Sequence, residues 1–129
     1  AYDAKSPLAP YQFERRALKP DDVQLEILYC GVCHSDLHSA RNEWGGAMYP
    51  MVPGHEIVGR VIATGSAATK YKPGDTVGVG VIVDSCSNCK PCLDDYEQYC
   101  KEGATLTYND WERDRSAMTM GGYSSHIVT

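Results

Sequence analysis

Cys86, Cys89, Cys92 and Cys100 stand in the pattern C-x2-C-x2-C-x7-C, and no other feature restricts the fold of this chain as strongly. Four thiolates suit a tetrahedral zinc site with every position filled by protein, and the first three lie on one short loop that can wrap a metal. Such a site is structural, because nothing is left open for a substrate. Lys90, Lys101 and local backbone amides can offset its negative charge. Two disulfides could use the same four residues in a secreted protein. An iron–sulfur cluster is a further alternative, but the bacterial ferredoxin run closes C-x3-C-P, whereas here the last spacing is seven and Lys101 follows. The spacings fit metal ligands best, and reduced thiols make the cytoplasm the expected compartment.

Composition removes several function classes. A chain of 129 residues, 43% hydrophobic and 22% charged, fits one soluble globular domain. A net charge of −5 disfavours a nucleic-acid partner, which would want a basic face. No apolar run is long enough for a bilayer-spanning helix. Neither a signal peptide nor a basic presequence is recognisable, although a first residue of Ala1 leaves room for an earlier start.

Periodicity and turn chemistry predict a mostly β chain. Residues 1–22, with Pro7, Pro10 and Pro20, read as an edge strand or an irregular lead-in. Val23, Leu25, Ile27 and Tyr29 alternate as one face of a strand that delivers Cys30 and Cys33 at its end. Ser35 to Arg41 suits a short helix with Ser35 or Asp36 near its N-cap. Asn42 to Pro53 is a loop, and Glu56 to Ala63 a strand. Lys72-Pro73-Gly74-Asp75 is a turn. Thr76 to Val83 reads as a buried strand, whose Gly78-Val79-Gly80 lacks the third glycine and the helix of a dinucleotide fingerprint. Asp84 to Glu102 forms the cysteine lobe, Thr105 to Met120 a polar loop, and Gly122 to Val128 a last strand.

A second constellation lies earlier in the chain. Pro53-Gly54-His55-Glu56 sets an imidazole beside a carboxylate after a flexible glycine, and Cys33 supplies a thiol from a distant strand end. One thiol, one imidazole and one carboxylate make an open zinc site, able to act as a Lewis acid on a carbonyl or alkoxide oxygen. Ser35 is either a helix cap or a hydroxyl that exchanges a proton with an alcohol. His38, one helical turn on, is either an exposed polar residue or the next carrier of that proton. His34 is either surface or a phosphate contact. Trp44, flanked by glycines in a polar loop, suits a substrate-pocket wall, while Tyr49 and Met51 fit pocket and core equally. Cys30 reads as a small core residue, and Asp36 as support for the turn.

Taken together, Gly31-Val32-Cys33-His34-Ser35-Asp36, Tyr49 through Gly59, Lys72 through Gly80, the Cys86–Cys100 spacing and Gly121-Gly122-Tyr123 resemble the zinc-containing medium-chain alcohol dehydrogenases. The likeness is closest to the cinnamyl-alcohol-dehydrogenase-like branch with its bacterial NADPH-dependent aldehyde reductases. The resemblance implies a GroES-like barrel over residues 1–129 with a structural zinc lobe at 84–103. It implies catalytic zinc on Cys33 and His55 with Glu56 in or beside the first shell, a Ser35–His38 proton relay, Trp44 as pocket wall and His34 at the cofactor. It further implies two zinc ions per full-length chain, NADP or NAD, an aldehyde or primary alcohol as substrate, and a homo-oligomeric full-length enzyme. Two family features have no counterpart in these residues: the dinucleotide-binding domain with its G-x-G-x-x-G turn, and a further cysteine ligand. The sequence therefore reads as part of such an enzyme, and by itself as inactive. The competing reading is a stand-alone zinc-stabilised binding module on the same barrel.

Overall fold

The computed structural model describes all 129 residues. Its elements, in chain order, are β1 (Val23–Cys30), α1 (His34–Ala40), β2 (Ile57–Thr64), β3 (Thr76–Val79), β4 (Ile82–Asp84), α2 (Lys90–Leu93), β5 (Thr105–Leu106) and β6 (His126–Val128), with a 3-10 turn at Glu97–Tyr99. An antiparallel sheet runs β3-β2-β1-β6, and β4 pairs with β5 in a second, two-stranded sheet. The core forms where the inward faces of the larger sheet meet: Val23, Leu25, Ile57, Val61 and Ile127 are buried together, and Cys30 packs against them as a small apolar group.

β1 departs from strict alternation. Its pairing skips Leu28 between Ile27↔Gly59 and Tyr29↔Val58. One extra residue in one strand reverses the faces beyond it. Tyr29 is therefore 73% exposed rather than aligned with Val23 and Leu25, and Cys30 turns inward. The single buried strand expected over Thr76 to Val83 is two short, partly exposed strands, β3 and β4, in different sheets. Gly80 lies at the break, and without side-chain constraint it lets the chain change direction. The expected polar loop after the lobe contains β5 and a Trp111–Met118 bridge.

The last strand is shorter than expected because the Gly122 and Tyr123 amides donate to the Gly54 and Pro53 carbonyls rather than to β1, in a turn clasped by Arg15. Its guanidinium donates to the carbonyls of Met120, Gly121 (2.9 Å) and His126 (2.9 Å) and to Ser124 Oγ (2.7 Å). Residues 120–124 thus form a turn clasped by a side chain, and pairing with β1 begins at the Ser125 carbonyl, which accepts the Ile27 amide at 2.9 Å.

A second cation fastens the lead-in segment. Arg16 pairs with Asp22 and, at 2.8 Å, with Glu112, while the Lys19 amide donates to Asp22 at 2.6 Å. Burial pushes the Asp22 carboxyl up, but Arg16 and the Lys19 amide outweigh it, so Asp22 lies below its ordinary range. A carboxylate depressed in the folded state adds stability that is present above the ordinary carboxylate pKa, about 3.9, and lost as pH falls through the folded value. Asp22→Asn is expected to cost about 1–3 kcal/mol at pH 7, the difference from the wild type narrowing as pH falls below the ordinary carboxylate range. Urea titrations from neutral to acid pH check it, and a difference that does not narrow on acidification would refute the linkage.

Candidate functional site

The cysteine lobe hangs from the β4–β5 pair, which closes its base. The Sγ atoms of Cys86, Cys89, Cys92 and Cys100 all lie within 4.8 Å of one another. Cys89 and Cys92 are 3.4 Å apart and Cys86 and Cys92 3.8 Å, well beyond the roughly 2.05 Å of a disulfide. A zinc–sulfur bond of about 2.3 Å in tetrahedral geometry separates sulfurs by about 3.8 Å, so this donor set fits such an ion. Backbone amides face the sulfurs: Lys101 N to Cys89, Cys89 N to Cys86, and Cys86 N to Cys100, at 3.4–3.5 Å. The Lys101 amide, then that of Cys92, hold the Cys89 thiol down to about 6. The Lys90 ammonium instead reaches Asp94 at 2.6 Å, so amides rather than that side chain face the sulfur charge.

The second cluster is assembled where β1 ends and β2 begins. The ligand atoms of Cys33, His55 and Glu56 converge within 4.8 Å. Cys33 caps α1, which starts at His34 rather than at Ser35 or Asp36. Gly31 makes room for the carboxylate: a Cβ there would stand 2.3 Å from Glu56 Oε2. Gly54 presents His55 from a left-handed backbone, φ +103°, and a Cβ there would be 2.8 Å from Cys30 Sγ. A larger side chain is thus excluded at both positions.

Asp36, only 2% exposed, is the centre of this arrangement. It accepts the Cys33 amide at 3.0 Å, the Gly54 amide at 2.9 Å and the Tyr123 hydroxyl at 2.8 Å, and its Oδ1 lies 3.2 Å from His55 Nδ1. Burial pushes its carboxyl up, but the Tyr123 hydroxyl and the two amides hold it below its ordinary value. With an ionised Asp36 facing Nδ1, the tautomer protonated at Nδ1 is the favoured one, which leaves Nε2 of His55 as the nitrogen with a free lone pair. A carboxylate behind a histidine fixes a metal-ready tautomer in this way. The expectation for Asp36, support of a turn, thus covers only part of what it holds.

A cleft of about 250 Å³ opens on this cluster, lined by Ser35, Ser39, Trp44, His55, Val81, Leu106, Thr107, Tyr108 and Asn109. Ser35 Oγ is 3.5 Å from Cys33 Sγ. The Tyr108 ring stacks at 5.9 Å on His55, and burial together with Asp36 pushes its hydroxyl up to about 12, so it stays protonated. Trp44 is 65% exposed and forms one wall. His38 lies outside the cleft, stacked on Trp44 at 4.9 Å with its Nδ1 against Glu43 and with His34 at 5.2 Å. No hydrogen bond joins Ser35 to His38, so a proton passing between them needs one bridging hydroxyl or water. Met51 belongs to the interior, and the Tyr49 hydroxyl donates to the Ala40 carbonyl. A larger opening of about 630 Å³ beside Tyr11 and Arg15 contains neither cluster.

A mainly β domain with an open thiol–imidazole–carboxylate set beside a cleft and a closed four-thiol lobe has the architecture of a GroES-like dehydrogenase domain. The chain belongs to the alcohol dehydrogenase GroES-like domain family, whose profile matches residues 19–129. It is 58% identical over 128 residues to the aldehyde reductase YahK of Escherichia coli, an alignment covering 99% of this chain and 36% of that protein. The structure superposes on a cinnamyl alcohol dehydrogenase of Sorghum bicolor with TM-score 0.93 and 49% identity, over 99% of this chain and 36% of that one. It matches the Helicobacter pylori enzyme complexed with NADP(H) with TM-score 0.93 and 45% identity, over 99% and 37%. The chain spans about a third of the length of these relatives. No helix is long and apolar enough to cross a membrane.

Proposed function

We propose that residues 1–129 are the N-terminal part of the catalytic domain of a zinc-dependent, NADP(H)-using aldehyde reductase or alcohol dehydrogenase. The observation that carries this reading is the convergence of the Cys33, His55 and Glu56 ligand atoms, with His55 and Ser35 both lining the adjoining cleft. The names of the relatives, an aldehyde reductase and a cinnamyl alcohol dehydrogenase complexed with NADP(H), support the substrate class and the cofactor. A domain beyond these residues would bind the dinucleotide. The lobe at 84–103 would hold a second, structural zinc on Cys86, Cys89, Cys92 and Cys100. The full-length enzyme would work in the cytoplasm as a homo-oligomer.

In this reading Cys33 and His55 bind the catalytic zinc, and Glu56 approaches it from the space left by Gly31. Held by these residues, zinc would supply a Lewis acid able to polarise the carbonyl of the substrate. Trp44 walls the pocket, and His34, exposed at the start of α1, would contact the cofactor phosphates. NADPH held by the longer protein would supply hydride to the carbonyl carbon, and Ser35 Oγ–H is placed to give the proton to the oxygen, the balance being alcohol and NADP⁺. His38, its Nδ1 held by Glu43, restores that proton through a bridging hydroxyl or water. General acid–base assistance of this kind is worth about 10²–10⁴-fold. In the protein that carries this domain, Ser35→Ala is expected to lower kcat for aldehyde reduction by at least about 10²-fold. NADPH consumption against a panel of aliphatic and aromatic aldehydes tests both parts. An unchanged kcat in Ser35→Ala would remove Ser35 from the relay, and a wild type inert on every aldehyde would overturn the assignment.

A further inference from the structure

Asp36 reaches back to a residue that lies on neither the Cys33 helix nor the His55 strand. Tyr123 sits in the turn clasped by Arg15, and its backbone and side chain both bear on the Pro53-Gly54-His55 segment. Its amide donates to the Pro53 carbonyl at 3.0 Å, and its hydroxyl donates to Asp36 Oδ2 at 2.8 Å. The Gly31 carbonyl is 3.3 Å from the same hydroxyl, but the hydroxyl has one proton, and the closer, charged acceptor takes it. The neighbouring glycines keep this approach close: a Cβ on Gly121 would stand 2.4 Å from the Pro53 carbonyl oxygen, and one on Gly122 would stand 2.4 Å from Ile57.

The Oδ1 and Oδ2 atoms of Asp36 have separate duties. Oδ1 faces His55 Nδ1 and the Gly54 amide, while Oδ2 takes the Cys33 amide and the Tyr123 hydroxyl. Without the Tyr123 donor, a buried carboxylate would keep one amide on Oδ2 and could rotate to seek another partner. Rotation moves Oδ1, and with it the acceptor that orients the His55 ring. We propose that Tyr123 is a positioning residue for the metal centre, acting through Asp36 to fix the ring orientation of His55 and so its strength as a ligand. The proposal rests on the reading of Cys33 and His55 as metal ligands. Outer partners of metal-binding histidines carry effects of about 10–100-fold on affinity.

The test uses the protein carrying this domain, with cobalt(II) as the probe. The thiolate-to-cobalt absorption that disappears in Cys33→Ser reports the open site, and the remainder reports the four-cysteine lobe. In Tyr123→Phe the Cys33-dependent absorption is expected to titrate with a Kd about 10-fold weaker, with the lobe signal unchanged. In the zinc-loaded protein the Nδ1–H proton resonance of His55 should shift or broaden. In an Asp36→Asn background the same Tyr123→Phe change should add no further loss, because its route to His55 is already cut. A wild-type Kd with an unmoved His55 resonance would overturn the proposal. So would a tenfold loss that persists in the Asp36→Asn background, since Tyr123 would then act by packing. A wild type with no Cys33-dependent absorption would fail one step earlier, removing the metal reading and the proposal together.

Discussion

Cys89→Ser is expected to release the metal of the lobe and to unfold residues 84–103 while the β3-β2-β1-β6 sheet stays intact. The reason lies in what the lobe lacks. Of its residues only Ser85 and Cys92 are buried, whereas Leu93, Tyr96 and Tyr99 are 70%, 56% and 70% exposed. Its helix and its 3-10 turn span four and three residues, far too short to persist alone. No disulfide closes it. What holds it is the β4–β5 pair at its base, an exposed Arg113 clasp on Glu102 and Gly103, and four sulfurs within 4.8 Å. In small domains of this kind metal binding is the folding energy, about 10–16 kcal/mol for structural zinc in peptides at neutral pH. Loss of one thiolate should therefore appear as the loss of one zinc by elemental analysis. Amide exchange should become rapid across 84–103, and new proteolytic cuts should appear there. The core amides of Leu25 and Val61 should keep their protection, because the hydrophobic cluster does not extend into the lobe. A chelator strong enough to strip the wild type should produce the same pattern, and returned zinc should reverse it. A folded wild type that contains no metal would sink this account, as would a Cys89→Ser variant with unaltered exchange.

Local chemistry made both clusters visible in the sequence, and for a common reason. Thiols and imidazoles at metal-ligand spacings, set among glycines, have few other uses, so the four-cysteine run and the Cys33/His55/Glu56 set stood out before any fold was known. The β1 alternation was equally legible until Tyr29. The bulge at Leu28 could not be read, because it depends on how β2 pairs rather than on β1 itself. The division of Thr76–Val83 between two sheets has the same origin, since a short apolar run states that it is a strand but not which partner it takes. The support of the site was least legible. Tyr123 meets Asp36 across 87 residues, and nothing local to either marks the pairing. Tyr108 and Glu43 carry no local signal either, one an aromatic in a polar stretch and the other an acid in a loop. Asp36 reads from sequence as a residue near the helix cap; with Cys33 as the actual N-cap it stands three residues on, where a carboxylate returns to a helix start. Its burial and its further partners required the fold.

Cys33→Ala should abolish aldehyde reduction in the protein that carries this domain, and residues 1–129 alone should show no enzymatic turnover even with both metals supplied. The two expectations separate the two things hydride transfer requires. The first is a polarised carbonyl. Removing Cys33 takes the thiolate from a site where it and His55 are the two strongest donors, and Glu56 with water is a weak replacement. A loss of several kcal/mol of charge stabilisation corresponds to about 10³-fold or more in rate. The variant should still fold, because the Cys33 side chain lies at a helix cap outside the hydrophobic cluster, and its lobe zinc should remain at one per chain. The second requirement is a nicotinamide carbon held against the substrate carbon, and much of the catalytic advantage comes from such positioning. Within these residues Gly78-Val79-Gly80 lies on and beside β3 and leads into β4 rather than into a helix, so it offers no pyrophosphate cradle. The measurement is NADPH oxidation by both proteins, at matched concentration and with added zinc, over the same aldehydes. Near-wild-type turnover in Cys33→Ala would remove the metal from the reaction. Turnover by residues 1–129 equal to that of the longer protein would show that hydride transfer needs no separate dinucleotide domain.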